Sequence, residues 1–152
     1  MGWLELKIPP PFVLFITVGL MWFAHRLMGG GLASIVPFYS GLAVMAGGFV
    51  VAFTGLRTMI TNHTTTSPIQ IDRTNKLVTS GLYQFSRNPM YLGMVIFLIG
   101  WTVLLGNLWH LAGPIGFAIY IQRFQIAAEE RMMTTKFGAD YAAYKNRVRR
   151  WI

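Results

Sequence analysis

The chain has 152 residues, of which 54% are hydrophobic and 12% charged, about half the roughly 25% charge usual in a soluble domain. Its net charge is +8, yet no charged residue lies between Arg26 and Arg57 or between Arg87 and Arg123. That distribution excludes an ordinary cytosolic globule and reads as a polytopic membrane protein.

A membrane crossing needs about 20 mostly apolar residues. Pro9-Pro10-Pro11 closes an N-terminal stub, and the first predicted span covers 12–28, ending near His25-Arg26. It reads as a span and not as a secretory signal, because a proline triplet sits badly ahead of a signal's apolar core and no small-residue cleavage site follows. Gly29-Gly30-Gly31 and Pro37 lead into a second span at 38–56. There Gly41, Gly48 and Gly55 recur every seven residues and, with Ala52, line one face for close helix packing. A loop over 57–87 follows. Its Asn62-His63-Thr64 has the form of a glycosylation sequon but falls on the cytoplasmic side and is set aside.

Asn88 to Gln122 is uncharged over 35 residues, too long for one crossing at about 1.5 Å per residue and slightly short for two. Gly106-Asn107 and Gly113-Pro114 mark the break of a helical hairpin with arms at 89–108 and 111–130. Asn88 can cap the first arm, and Pro89 suits its first position. In the tail, Tyr141, Tyr144, Val148, Trp151 and Ile152 alternate with Lys145, Arg147, Arg149 and Arg150, which predicts an amphipathic interfacial helix over 140–152. The expected fold is one all-α membrane domain over 1–152, with four transmembrane helices. The stub, the 57–87 loop and the tail hold 12 of the 13 basic residues, so both termini are expected in the cytoplasm. The charge then needs no nucleic acid to explain it.

Two places exceed what packing requires. At about 100° per residue, Gln125, Glu129, Gln122, Glu130 and Arg123 fill about 160° of the second arm. A charge at membrane depth costs at least about 2.5 to 3.5 kcal/mol and usually faces a wet cavity or a partner. Gln122, Arg123 and Gln125 are therefore candidate substrate contacts. The other place is the stretch from Gly81 through Tyr83, Arg87, Asn88, Pro89 and Tyr91 to Gly93. It offers a glycine turn, aromatic surface, a carboxylate clamp and the donors of a helix N-terminus. Chemistry from cysteine is excluded, since the chain has none. No His, Asp and Glu grouping has metal-ligand spacing, so no metal is expected.

Leu77-Val78-Thr79-Ser80-Gly81-Leu82-Tyr83, Ser86-Arg87-Asn88-Pro89-Met90-Tyr91-Leu92-Gly93, Glu129-Glu130-Arg131 and Phe137-Gly138-Ala139-Asp140-Tyr141-Ala142-Ala143-Tyr144 with the Arg-rich end resemble the isoprenylcysteine carboxyl methyltransferases and related phospholipid methyltransferases. The resemblance covers roughly 64–152. It implies an S-adenosylmethionine pocket formed by Gly81, Tyr83, Arg87, Asn88, Pro89, Tyr91 and Gly93 and closed by Glu129 and Glu130. Arg87, Asn88 and Glu129 are then the residues nearest the chemistry, and a lipophilic or amphipathic acceptor enters from the bilayer. Two positions depart from the pattern: Asn88 stands where many relatives have His, and Leu82 where Pro is frequent. The chain is short beside the eukaryotic enzymes, so a prenylated protein substrate is not assumed, and a bacterial or archaeal cell membrane is the expected location. Two other functions fit parts of the pattern. Sterol reductases resemble the hairpin but use NADPH, and a non-enzymatic scaffold could use the polar band for assembly.

Overall fold

The structure, a computed structural model, describes residues 6–28, 35–62 and 77–152. Among these, all regular structure is helical. The helices are α1 (Pro10–Leu27), α2 (Ile35–Thr61), α3 (Pro89–Leu105), α4 (Ala112–Ile121) and α5 (Ala127–Arg147). Short 3-10 turns cover Gly81–Gln84 and Leu108–Leu111, and a π segment, Gln122–Ile126, joins α4 to α5. The Gly29–Gly31 loop and the sequon's His63 and Thr64 lie outside the described residues, as do Arg73 and Lys76.

Pro10–Leu27 and Phe38–Thr61 are long and apolar enough to cross a membrane, and Pro89–Leu105 is a shorter apolar helix. Large apolar side chains stay on the outside: Phe12, Phe15, Trp22 and Phe23 on α1, Phe49 and Phe53 on α2, Ile115 and Ile119 on α4. A contiguous exterior of this kind is costly in water and suits lipid. Inside, Met21 of α1, Met94 and Leu98 of α3, and Phe117 and Ile121 of α4 form a shared core that reaches Ile126 in the π segment.

The glycine face of α2 packs on α3. A Cβ on Gly48 would lie 2.5 Å from the Phe97 nitrogen and 2.6 Å from the Gly93 carbonyl, and one on Gly41 would lie 2.8 Å from the Leu104 nitrogen. Gly93 and Gly100 return the contact from α3, facing Gly48 and Gly41. Side chains on these faces would force the two backbones apart. At its far end α3 stops at Gly106, whose φ of 70° is open to glycine. Of the two expected breaks only this one is a turn. Gly113-Pro114 falls in the first turn of α4, where a proline costs no helix hydrogen bond.

Two expectations about the second arm and the tail are corrected. The arm is not a uniform α-helix, because the five residues of the π segment bond i to i+5 and so insert one extra residue. Everything after it turns back by about 100°. The tail is not a helix over 140–152. α5 kinks at Gly138, with φ 47° and ψ −117°, and ends at Arg147, after which Val148 is extended. Nor does its apolar side face lipid: Tyr141, Tyr144 and Val148 are buried against Leu77, Met133 and Phe137.

Candidate functional site

The strand of chain leading into α3 is pinned before the helix begins. Gly81, at φ 60°, opens the 3-10 turn that buries Tyr83. The Tyr144 hydroxyl donates to the Tyr83 carbonyl at 2.7 Å, so the tail helix clamps the turn. Ser86 Oγ accepts from the Asn88 N–H at 3.1 Å, and the Asn88 side chain makes no cap bond. Its amide instead donates to the Arg150 carbonyl at 2.9 Å. The Arg87 N–H donates to the Arg149 carbonyl at 3.0 Å. Pro89 is the first residue of α3, as its missing donor permits.

Against this turn sit the two glutamates of α5. Glu130 pairs with Arg87 Nη2 at 3.1 Å and with Arg150 Nη2 at 2.7 Å, and Arg150 Nε adds a bond of 3.0 Å to the same carboxylate. Glu129 accepts the Tyr91 hydroxyl at 2.5 Å. Arg87 is 10% exposed at its side chain, and its Nε and Nη1 are buried with no hydrogen-bond partner. Buried guanidinium donors left unpaired are costly, so they mark a place where an anion fits.

Three phenols ring these charges. Burial pushes the Tyr83 hydroxyl far above the ordinary tyrosine range, with Tyr144 and Glu129 adding to the shift. Burial also raises Tyr144, with Tyr141 adding and Arg87 opposing. Tyr141 is pushed up to about 12, first by burial and then by Glu130, while Arg87 holds it down. All three therefore stay protonated at neutral pH and act as hydrogen-bonding groups, not as bases. The Glu130 hydrogen bond in turn raises Arg150 above its ordinary value.

An apolar cavity of about 680 Å³ opens on the α1 side of Tyr91 and Met90, walled by Pro9 and Phe15, by Phe49 and Phe53 of α2, and by Met94 and Phe97. Its roof is the N-terminal stub, where Leu6 also lines the cavity. The Leu6 N–H donates to the Phe124 carbonyl at 3.3 Å, and Gln125 Nε2 donates to the Ile8 carbonyl at 2.6 Å.

The structure thus brings Tyr83, Arg87, Asn88, Pro89, Tyr91, Glu129 and Glu130 together. The remaining expected positions lie elsewhere. Gly81 faces Thr58 of α2, and Gly93 sits in the α2–α3 crossing. Gln125 is fully buried against the stub. Gln122 accepts from Trp151 Nε1 at 3.0 Å, while Arg123 is exposed. The π segment explains why Arg123 stays outside. With Glu129 and Glu130 turned back by about 100°, they align with Gln122 and Gln125, and Arg123 is left outside. Sequence reasoning missed Arg150, Trp151 and Tyr141. The available signal was charge balance, because a chain with 5 acidic and 13 basic residues has partners to spare for two buried glutamates, most of them in the tail.

Comparison with known proteins places these elements in one family. Residues 36–140 match the phospholipid methyltransferase family. A 63-residue stretch is 46% identical to an uncharacterized protein of Haemophilus influenzae, covering 41% of this chain and all of that protein. Protein-S-isoprenylcysteine O-methyltransferase B of Arabidopsis thaliana is 33% identical over 71% of this chain and 55% of its own length. The isoprenylcysteine O-methyltransferase of Saccharomyces cerevisiae is 37% identical over 47% of this chain and 30% of its own length. The chain therefore spans about half or less of the isoprenylcysteine methyltransferases it matches. No solved structure matches it. Because the family match runs from α2 through the turn bearing Arg87 to the helix bearing both glutamates, the chain belongs to the phospholipid methyltransferase family.

Proposed function

We propose that the chain is an integral membrane methyltransferase that moves a methyl group from S-adenosylmethionine to a lipophilic or amphipathic acceptor, of the isoprenylcysteine-carboxylate or phospholipid-amine kind. The observation that carries this reading is the buried Arg87 guanidinium, with Nε and Nη1 unpaired and Nη2 on Glu130, beside Glu129, whose partner Tyr91 lines an apolar cavity. The donor molecule has a carboxylate, an ammonium and a sulfonium, and the residues present suit each. Arg87 offers two free donors to the carboxylate. Glu130 is committed to two arginines, whereas Glu129 has one oxygen engaged by Tyr91 and the other available to an ammonium or a ribose hydroxyl. Tyr83 and Tyr91 supply aromatic surface beside the cation.

When bound, S-adenosylmethionine supplies an electrophilic methyl group on a positively charged sulfur. The chain's own part is alignment and exclusion of water. Arg87 and Glu129 fix the amino-acid end, and Tyr91 ties Glu129 to α3. Tyr91 also borders the cavity, whose walls take the hydrocarbon of the acceptor and hold its polar head at the glutamates. Asn88 cannot accept a proton, and its amide is held by Arg150. This favours an acceptor atom already deprotonated at neutral pH, as a carboxylate oxygen is. The same reading has the chain cross a bacterial or archaeal membrane four times, at about 12–28, 38–56, 89–108 and 111–130, with both termini cytoplasmic.

Calorimetry on the detergent-solubilised protein tests it. S-adenosylhomocysteine is expected to bind below millimolar concentration, and Arg87→Lys, which keeps charge but loses the fork, is expected to weaken it. No binding by the wild type, or stabilisation by NADPH alone, overturns the reading.

A further inference from the structure

Outside the residues matched to the family, the segment Val148–Ile152 leaves the helix and crosses the site, tied at four points. Arg149 and Arg150 accept at their carbonyls from the Arg87 N–H and the Asn88 amide. Trp151 donates to Gln122, and the Arg150 side chain forks onto Glu130. Every partner belongs to the turn before α3, the π segment or the first turn of α5.

We propose that Arg150 is a positioning residue of the site: by clamping Glu130 it orients Arg87 and leaves the cluster with the positive charge that a ligand carboxylate requires. The proposal rests on the reading of the site as an S-adenosylmethionine pocket. Glu130 Oε1 lies 3.1 Å from Arg87 Nη2 and 3.0 Å from Arg150 Nε, and Oε2 lies 2.7 Å from Arg150 Nη2. The Glu130 side chain is 11% exposed and Arg150 36%. Arg87 with Glu130 alone is a neutral pair, and an anion brought to its free donors meets the full repulsion of a nearby carboxylate. Adding Arg150 turns the pair into two cations on one anion, net +1 for these three groups. It also takes up both carboxylate oxygens, so Glu130 has little freedom to swing onto Arg87 Nε or Nη1. Those two nitrogens stay unpaired, aimed by a partner that is itself held. Arg150 touches no ligand in this scheme and acts through Glu130 and Arg87.

The side-chain role separates from the strap's backbone bonds, because Arg150→Ala keeps the Asn88 and Arg87 contacts to main-chain carbonyls. Calorimetry compares two probes: S-adenosylhomocysteine, which has the amino-acid carboxylate, and 5′-methylthioadenosine, which lacks it. Arg150→Ala is expected to weaken S-adenosylhomocysteine about tenfold, the scale of one charge-assisted interaction, and to leave 5′-methylthioadenosine unchanged. Arg150→Lys, which keeps the charge without the fork, is expected to recover part of the loss. Glu130→Gln added to Arg150→Ala is expected to cost less than the two changes summed. Equal weakening of both probes, or wild-type affinity in Arg150→Ala, overturns the proposal while the pocket itself stands. Failure of the wild type to bind either probe overturns the pocket and the proposal together.

Discussion

The α2–α3 crossing makes a graded prediction that separates packing from binding at Gly93, which the family resemblance assigns to the cofactor. A carbon and an oxygen approach comfortably at about 3.3 Å. A Cβ on Gly93 would lie 2.5 Å from the Gly48 carbonyl and one on Gly48 2.6 Å from the Gly93 carbonyl, so each falls short by about 0.7 to 0.8 Å. At the other end of the crossing Gly100 and Gly41 would meet each other's carbonyls at 2.7 Å and 2.9 Å, a shortfall of about 0.4 to 0.6 Å. Gly47, on the same helix, meets nothing within 4 Å. Since the obstacles are backbone atoms, the helices themselves must part, and overpacking of this kind costs about 1 to 3 kcal/mol. Alanine at Gly93 and at Gly48 is expected near the top of that range and at Gly41 near the bottom. At Gly47 no loss is expected. Thermal unfolding in detergent, with S-adenosylhomocysteine affinity measured beside it, reads the series. Gly93→Ala abolishing binding at unchanged stability, or Gly47→Ala being as damaging as Gly48→Ala, would refute the reasoning.

Glu129→Gln is expected to weaken S-adenosylhomocysteine by ten- to a hundredfold, the range for hydrogen bonds to a charged partner, and titration calorimetry measures it. Tyr144→Phe leaves the buried Tyr83 carbonyl without its donor, and a loss of about 1 to 3 kcal/mol is expected in unfolding experiments. Gln125→Leu frees the Ile8 carbonyl, so amide exchange across residues 6–13 is expected to accelerate while exchange in α3 does not. At the opposite end of the bundle, the buried His25 and His110 rings lie 3.1 Å apart, nitrogen to nitrogen. Burial, then His25, lowers the His110 pKa. The unfolded chain therefore takes up a proton there first, and stability is expected to fall as pH drops below about 6.5 toward the lower folded value. A melting temperature independent of pH between 7.5 and 5.5 counts against this.

The apolar architecture was legible because its signals are local. Charge-free windows mark α1 to α4, Pro89 begins α3, and Gly106 ends it. The seven-residue glycine spacing identified the packing face of α2, though not the partner, since the reciprocal Gly93 falls in the stretch that the family resemblance assigns to the cofactor. The tail was misread for a physical reason. Tyr141, Tyr144 and Val148 at helical spacing between basic residues describe a helix on a membrane surface and a helix on a protein surface equally. What decides is the Tyr144 bond to Tyr83, a contact 61 residues away in sequence. The π segment left no compositional mark either, and an ideal helical wheel placed Arg123 among the site's charges because it lacked the one residue of extra winding.

Glu129 and Glu130 show most directly what three-dimensional placement adds. Adjacent residues on a helix point about 100° apart, so two neighbouring acids meet different partners. Composition could not say which of them the chain's own cations would hold. The bonds do: Glu130 faces the strap and is neutralised by two arginines, while Glu129 faces α3 and accepts one phenol. A carboxylate already saturated by guanidinium groups has little left to offer an incoming cation, and one held by a single neutral donor keeps an oxygen for it. The division also accounts for how so sparse a set of charges is held near membrane depth. Glu130 forms an ion cluster with Arg87 and Arg150 that needs no ligand to be stable, and that cluster holds Arg87 rigid enough to keep two of its donors waiting.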